Sequence, residues 1–349
     1  MDNSNKKGIR VMPDLVKTKA FFSKYAVLPV LLLLIVIASL ISDVFLTENN
    51  LLNVLRQVAA NGIISIGLTY VVLTGGIDIS VGSVVGVSSI LFASCFQPEG
   101  FVSPYSALVE FLHQLIPGDP VLGVIVAALI VMVICAGLGY INGVGVCKGN
   151  LPPFIMTMGT LTLFRGVALL VSNGHPLYMS AEYGEMLSWL GTGRVLNIPA
   201  PVIVLVIVTV IAWVVLSKTV YGRYIRAIGG NEESARVAGI RVDRYKMSVY
   251  AISSGLAALA GILITCRTAT GEPMLGESYE MDAIAATVIG GTVLSGGVGT
   301  VIGTVLGALI IGVINNMLNL ANVSTYFQYI VKGLIIIFAV LLRTDKKRK

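Results

Sequence analysis

Ten apolar stretches follow one another along most of the chain, and they constrain its fold more than any other feature. They cover residues 26–42, 52–73, 79–96, 121–143, 154–171, 199–216, 247–265, 283–294, 300–320 and 326–342. A helix needs about 20 apolar residues to cross the hydrocarbon core of a bilayer. Only 12% of the 349 residues are charged, against about 25% in soluble domains. The sequence therefore predicts an all-α polytopic membrane protein of about ten transmembrane helices, one more or fewer if a short stretch is re-entrant.

Positive charge is concentrated in three places. Most of the 24 Lys and Arg residues lie within residues 1–24, 218–246 and 343–349. Lys and Arg accumulate on the cytoplasmic side of membrane proteins, so both termini and residues 218–246 are predicted to be cytoplasmic. This distribution indicates contact with membrane lipids and no nucleic-acid partner. The predicted division is a basic N-terminal segment (1–25), a transmembrane domain (26–342) and a basic tail (343–349).

Residues 218–246, named here the basic loop, separate the first six apolar stretches from the last four. Small and polar residues surround a glycine pair at its centre, where the sequence reads AIGGNEESA. A short helix capped at Asn231, with Glu232 and Glu233 in its first turn, is predicted there. Two interpretations stay open at this point. The loop is either a docking surface for a cytosolic partner or a segment that only fixes topology.

Part of the chain repeats itself. Residues 73–86 align without gaps to residues 294–307, and six of the 14 positions are identical, among them Gly75/Gly296 and Gly76/Gly297. Internal repeats with broken helices at matching positions are typical of transporters, although glycine-rich membrane sequences also align by composition. The two Gly-Gly pairs are predicted to lie at the ends of spans or at broken helices along a path.

Few ionisable groups lie within the apolar stretches, where they are costly. Asp78 and Asp282 each precede an apolar stretch and are predicted to cap helices, with substrate contact as the alternative. Arg165 is predicted to point into the protein and Lys332 to extend towards the membrane surface. The candidate residues for a translocation path are Asn61, Thr74, Gly75, Gly76, Asp78, Asn142, Arg165, Asp282, Ser295, Gly296, Gly297, Asn315 and Asn316.

Several kinds of chemistry have no counterpart in the sequence. It contains no GxxxxGK[ST] phosphate loop and no catalytic constellation, and its four cysteines lack metal-ligand spacing, so neither a catalytic nor a metal site is predicted. The chain is therefore not predicted to be an enzyme or to bind a cofactor. What remains is a passive channel, or a translocator driven by a separate protein that docks on the basic loop.

Four groups of residues carry a resemblance to a known family. They are TGGIDISVG at 74–82, PFIMTMGT at 153–160 with Arg165 and Gly166, YGR at 221–223 with AIGGNE at 227–232 and AGI at 238–240, and DAIAA at 282–286 before IGG at 289–291. Together they resemble the ribose-type permeases, which are membrane subunits of bacterial carbohydrate ABC importers. The similarity extends over most of the chain.

The resemblance implies a multi-pass protein of the bacterial inner membrane that pairs with a second permease copy or a paralogue. It also implies a cytosolic ABC ATPase, which binds ATP and Mg²⁺, and an extracytoplasmic sugar-binding protein. The coupling interface with the ATPase is expected at Ala227, Ile228, Gly229, Gly230, Asn231, Glu232, Glu233, Ala235, Ala238, Gly239 and Ile240. The implied function is import of a monosaccharide by alternating access. An ATP-independent sugar or polyol channel, or a receptor for a loaded binding protein, are the alternatives.

Overall fold

The computed structural model describes residues 27–97, 110–112, 114–116, 119–179 and 184–344. The predicted basic N-terminal segment, residues 1–25, lies outside the described residues. Residues 345–349 of the predicted basic tail also lie outside the described residues.

Helices make up about three quarters of the described structure. They are α1 (Val27–Ile41), α2 (Glu48–Leu73), α3 (Val81–Ser94), α4 (Pro120–Cys147), α5 (Pro153–Ser172), α6 (Gly184–Thr192), α7 (Ala200–Lys218), α8 (Val220–Gly230), α9 (Glu232–Val237), α10 (Val242–Thr268), α11 (Tyr279–Ile289), α12 (Val301–Leu320) and α13 (Thr325–Thr344). Each predicted apolar stretch coincides with one of them. Within the described ranges, α2, α4, α5, α7, α10 and α12 are long and apolar enough to cross a membrane. The prediction of an all-α polytopic membrane protein is confirmed.

Helices α2 and α10 form the centre of the bundle. Of the most apolar part of each, 72% of the residues are buried, against 28% in α4, α5 and α7. Small residues allow this close packing. A Cβ atom at Gly67 of α2 would lie 3.0 Å from the Ser253 Cα of α10, and one at Gly143 of α4 would lie 2.5 Å from the Met247 Cα. The outer helices therefore present their apolar side chains to lipid or to a partner.

Two spans are broken, with an irregular stretch followed by a short helix. The first irregular stretch follows Leu73 and leads into α3, whose 14 residues are all buried. The second, after strand β4 (Thr270–Gly271), leads into the 11-residue α11. The two broken spans contact each other at Gly82 and Gly276. A Cβ atom on Gly82 would lie 2.6 Å from the carbonyl oxygen of Gly276. Irregular backbone is tolerated at membrane depth only where protein or a water-lined cavity covers it. Protein covers most of the first break, whereas Glu272, Met274 and Glu277 of the second break are exposed.

The two ends of the bundle differ. One end, named here the loop end, carries the basic loop as helices α8 and α9. The opposite end carries α6 and two short antiparallel pairs of strands. Strand β1 (Leu177–Tyr178) pairs with β4, and β2 (Arg194–Val195) pairs with β3 (Ile198–Pro199). Since α2 and α7 finish at the loop end and α10 begins there, the basic loop lies against the ends of the central helices.

Candidate functional site

The basic loop folds as two short capped helices rather than as an irregular connection. At the start of α8, the Thr219 hydroxyl accepts a hydrogen bond from the Gly222 N–H at 3.4 Å. At the start of α9, Asn231 Oδ1 accepts from the Ser234 N–H at 2.8 Å, and the first turn carries two acids. The predicted helix cap at Asn231 is confirmed. Capping of this kind typically stabilises a helix by about 1 kcal/mol, which matters for an element of six residues.

Charged side chains tie α9 to α10. Arg236 lies 3.4 Å from Glu232 and 3.0 Å from Asp243, and Lys246 lies 3.0 Å from Glu232. The hydrogen bond and the charge of Asp243, followed by those of Glu232, raise the pKa of Arg236. A network of ion pairs contributes more to stability than isolated surface pairs do. The loop is thereby held as a defined surface.

The two faces of the loop have different roles. Ile228, Ala235 and Val242 form a small buried cluster, with Ile240 and Tyr245 packed against it. This cluster joins α8, α9 and the start of α10 from within. Two of the predicted interface residues, Ile228 and Ala235, therefore have side chains that face the interior of the chain.

The outer face combines predicted interface residues with one that the sequence reasoning missed. The predicted residues exposed there are Ala227, Gly230, Asn231, Glu232, Glu233, Ala238 and Gly239. Beside them, Val237 is 85% exposed at the end of α9. The sequence signal that could have indicated this exposed residue is a valine at the last position of a short, mostly polar helix. The outer face is a mostly polar surface with one large apolar side chain, that of Val237, at its tip.

Gly229 brings the basic loop into contact with both copies of the repeat. The Gly297 N–H donates a hydrogen bond to the Leu73 carbonyl at 2.9 Å, which joins the two repeats directly. A Cβ atom on Gly229 would lie 1.8 Å from that carbonyl oxygen and 2.4 Å from the Gly297 nitrogen. Gly75 (φ +77°), Gly296 (φ +88°) and Gly297 adopt backbone conformations that favour glycine. The sequence assigns Gly229 to the basic loop and the other three glycines to the repeat. The structure brings them into contact.

Asp78 is fully buried in the first break, but it does not cap α3. Its Oδ1 accepts from the Ser80 N–H at 3.1 Å and from the Ser80 hydroxyl at 2.6 Å. Asn142 of α4 donates to the same hydroxyl at 2.8 Å. The residue before the first helical position is Ser80, not Asp78. The capping prediction was wrong because the irregular stretch extends two residues further than the apolar pattern indicates.

Asp282 and Lys332 form an ion pair, which corrects two predictions. Asp282 lies inside the first turns of α11 and accepts from Lys332 Nζ at 3.0 Å and from Asn315 Nδ2 at 3.2 Å. Asp282 is therefore not the residue before the helix, and Lys332 does not extend to the membrane surface. Charges are costly in a bilayer, and pairing inside the protein is the alternative to exposure.

Arg165 points into the protein as predicted, and it joins the two breaks. Its guanidinium donates to the carbonyls of Pro273 and of Leu275 (2.9 Å) in the second break, and to that of Gly82 (3.3 Å) at the start of α3. The planar fork of Arg suits several acceptors at once. Arg165 is thus a clamp between the two broken spans.

The predicted path residues fall into separate groups within one chain. Asn316 and Asn50 exchange side-chain hydrogen bonds at 2.8 and 3.0 Å, and the Thr74 hydroxyl donates to the Val71 carbonyl. Asn61 is buried in α2, and Ser295 is exposed at the loop end. Asp78 accepts hydrogen bonds from Ser80, and Asp282 accepts them from Asn315 and Lys332.

Comparison with known proteins gives one consistent result. A family model described as "Branched-chain amino acid transport system / permease component" matches residues 50–340. The chain is 45% identical to the ribose import permease protein of Bacillus subtilis, over 91% of each chain. It is 36% identical to the D-allose transport system permease protein of Escherichia coli, over 92% of each chain.

The chain belongs to the ribose-type permease family. A xylose transport system permease protein of Escherichia coli is 32% identical over 87% of each chain. No solved structure matches the chain. Permeases of ABC importers work with a separate ATPase and a substrate-binding protein, so this permease is a transport component, not an enzyme. With its long apolar helices it is a multi-pass inner-membrane protein.

The permease has a small cavity of about 60 Å³ at the end opposite the basic loop. Its lining residues are Arg56, Gln57, Ala60, Pro201, Leu263, Ile264, Arg267 and Tyr279. The two arginines are close enough to repel each other. The cavity is therefore a positively charged recess that suits an acidic or hydroxyl-rich group.

Proposed function

We propose that this permease imports a monosaccharide, passing it from an extracytoplasmic binding protein to the cytoplasm by alternating access. The observation that carries the proposal is the 45% identity with a ribose import permease along almost the whole chain. Relatives named for D-allose and xylose support a monosaccharide as the substrate class.

The driving force enters through the basic loop. Its excess of Lys and Arg supports a cytoplasmic location. Because six predicted spans precede the loop and four follow it, both termini are then cytoplasmic as well. The outer face of α8 and α9, including Val237, binds a cytosolic ATPase that holds ATP and Mg²⁺. The caps and ion pairs of the loop support this role, because a docking element must be rigid to transmit movement.

The opposite end receives the binding protein. The recess at Arg56 and Arg267 supports contact with acidic side chains, since Arg forms strong charge-assisted hydrogen bonds with carboxylates. A second copy of the permease, or a paralogue, completes the path. The predicted path residues form separate hydrogen-bonded groups in the described part of one chain, which supports this arrangement.

Buried polar groups beside the first break supply the hydrogen-bonding capacity that a sugar path needs. Buried atoms that make no hydrogen bond to another described residue include Asn142 Oδ1 and the hydroxyls of Tyr250 and Ser254. Most buried polar side-chain atoms in proteins have partners. These groups are therefore available to hydroxyls when the helices around them separate.

The test is transport by the reconstituted complex. Proteoliposomes that contain the permease, its co-purifying ATPase and its binding protein are expected to accumulate ribose or a related monosaccharide only when ATP is supplied. Vesicles with the permease alone are expected to show no flux. Equilibration of the sugar by the permease alone would instead identify an ATP-independent channel, and binding without flux would identify a receptor.

A further inference from the structure

Three segments that are distant in sequence meet at one point of the loop end. They are the end of α2 at Leu73, the turn that holds Gly296 and Gly297, and Gly229 near the end of α8. The contact is between backbones, because a Cβ atom on Gly296 would lie 2.8 Å from both the Cα and the carbonyl oxygen of Gly229. We name the four residues Leu73, Gly229, Gly296 and Gly297 the glycine junction.

The junction is stiff for two reasons. Backbone atoms of the three segments contact each other directly, and the Gly297–Leu73 hydrogen bond fixes the relative position of two of them. Close-packed regions transmit displacement instead of absorbing it. Gly230, the next residue, approaches the junction only through its backbone: a Cβ atom on Gly297 would lie 3.1 Å from the Gly230 nitrogen, whereas a Cβ atom on Gly230 would meet nothing within 4 Å.

Two of the three segments lead directly from the junction to a helix of their own repeat. On one side, the chain passes Gly76, where a Cβ atom would lie 2.7 Å from the Tyr250 hydroxyl, and reaches Asp78 and α3. On the other side it reaches Thr300, whose hydroxyl accepts from the Gly303 N–H at 3.1 Å and caps α12. A displacement at Gly229 therefore acts on the starts of α3 and α12 together.

We propose that Gly229 is a positioning residue that makes the basic loop and both Gly-Gly segments of the repeat move as one unit. The proposal rests on the proposed function, in which an ATPase moves the basic loop. The new element is the location, at Gly229, where the movement of the loop is passed on to both repeats. Docking of the ATPase uses the outer face of the loop, whereas Gly229 acts on the inner side.

The test compares Gly229→Ala with Gly137→Ala in the complete complex with ATPase and binding protein. Gly137 lies in α4, outside the basic loop and the glycine junction. The added methyl group at 229 separates α8 from the repeats, and the same group at 137 enters open space, because a Cβ atom there would meet nothing within 4 Å. Gly229→Ala is expected to retain the bound ATPase and its ATP hydrolysis but to transport about tenfold less sugar per ATP hydrolysed. Gly137→Ala is expected to keep the wild-type ratio.

This ratio separates coupling from stability, since a loss of folded complex lowers transport and hydrolysis in proportion. A wild-type ratio in Gly229→Ala would overturn the proposal. Loss of ATPase binding or of ATP-dependent uptake in the unmodified complex would instead count against the proposed function.

If Gly229→Ala does not assemble, hydrogen exchange in the unmodified complex gives a second test. Trapping the complex with a non-hydrolysable ATP analogue is expected to change amide exchange in residues 74–80 and in residues 292–300 together. A change confined to one of these segments would overturn the proposal, because a rigid junction cannot move one repeat alone.

Discussion

Lys332 Nζ of α13 lies 3.0 Å from Asp282 Oδ2 of α11, and Asn315 of α12 donates to the same oxygen. The pair thus joins three helices. The Asp282 side chain is only 5% exposed, whereas that of Lys332 is 21% exposed. Because the two charges are not equally buried, removing one is not equivalent to removing the other.

Lys332→Leu is expected to destabilise the permease more than Asp282→Asn does. The first change leaves a buried carboxylate without its cation and costs about 3 kcal/mol, whereas the second leaves an ammonium group that reaches polar surroundings on a flexible stem. The measurement is the thermal unfolding midpoint in detergent. The double variant is expected to recover most of the loss, and equal stability of both single variants and the wild type would contradict the prediction.

Arg165→Met is expected to destabilise the contact between the two broken spans. Its guanidinium donates to carbonyls of both breaks, and hydrogen bonds to charged groups contribute about 1.5–3 kcal/mol each. Arg165→Lys is expected to restore little, since an ammonium group does not reproduce the fork. Limited proteolysis near residues 272–278 measures the loosening.

Arg194→Met is the matched control for Arg165. Its partner Glu48 is exposed, and the two side chains lie 3.5 Å apart, so its loss is expected to cost less than about 1 kcal/mol. If Arg165→Met is no more susceptible to proteolysis than Arg194→Met, then Arg165 does not hold the breaks together.

Much of the fold follows from one-dimensional patterns. The apolar stretches predict the membrane helices because each span must bury its own backbone hydrogen bonds, and the short polar motif at Asn231 predicts a capped helix because capping is local. The pairing of Asp282 with Lys332 does not follow, since 50 residues separate them. The repeat predicted that each Gly-Gly pair lies at a span end or at a broken helix, and the second pair lies in the connection between α11 and α12. The repeat gave no indication of the second broken span, which begins after β4.

The glycine junction illustrates the same limit. The repeat alignment indicates that Gly75 and Gly296 are equivalent, and the basic loop singles out Gly229. Their contact depends on how α2, α8 and α12 pack, which no local pattern encodes. Val237 was missed for a related reason, because its exposure is decided by the direction in which α9 leaves the bundle.

Val237→Glu is expected to reduce the amount of ATPase that co-purifies with the permease without affecting its stability. Val237 is 85% exposed and belongs to no buried cluster of the described residues, so the folded permease loses little. A charge at an apolar contact opposes docking by a desolvation penalty of roughly 2 kcal/mol or more. Quantitative pull-down of the ATPase measures the effect.

Leu196→Glu is the control for this prediction, since Leu196 is 93% exposed at the opposite end. It is expected to leave ATPase binding unchanged. Undiminished co-purification by Val237→Glu would exclude the tip of α9 from the docking surface.

The same two positions test the orientation of the permease in the membrane. Val237 and Leu196 are both exposed, so a cysteine introduced at either position would be accessible. Of the native cysteines, Cys95, Cys135 and Cys266 are buried and Cys147 is partly buried. Cys147→Ser therefore provides a suitable background. A membrane-impermeant maleimide is expected to label Val237→Cys only in inside-out vesicles and Leu196→Cys only in intact spheroplasts. The reverse pattern would place the basic loop outside the cell, where no ATP-driven partner reaches it, and would contradict the proposed coupling.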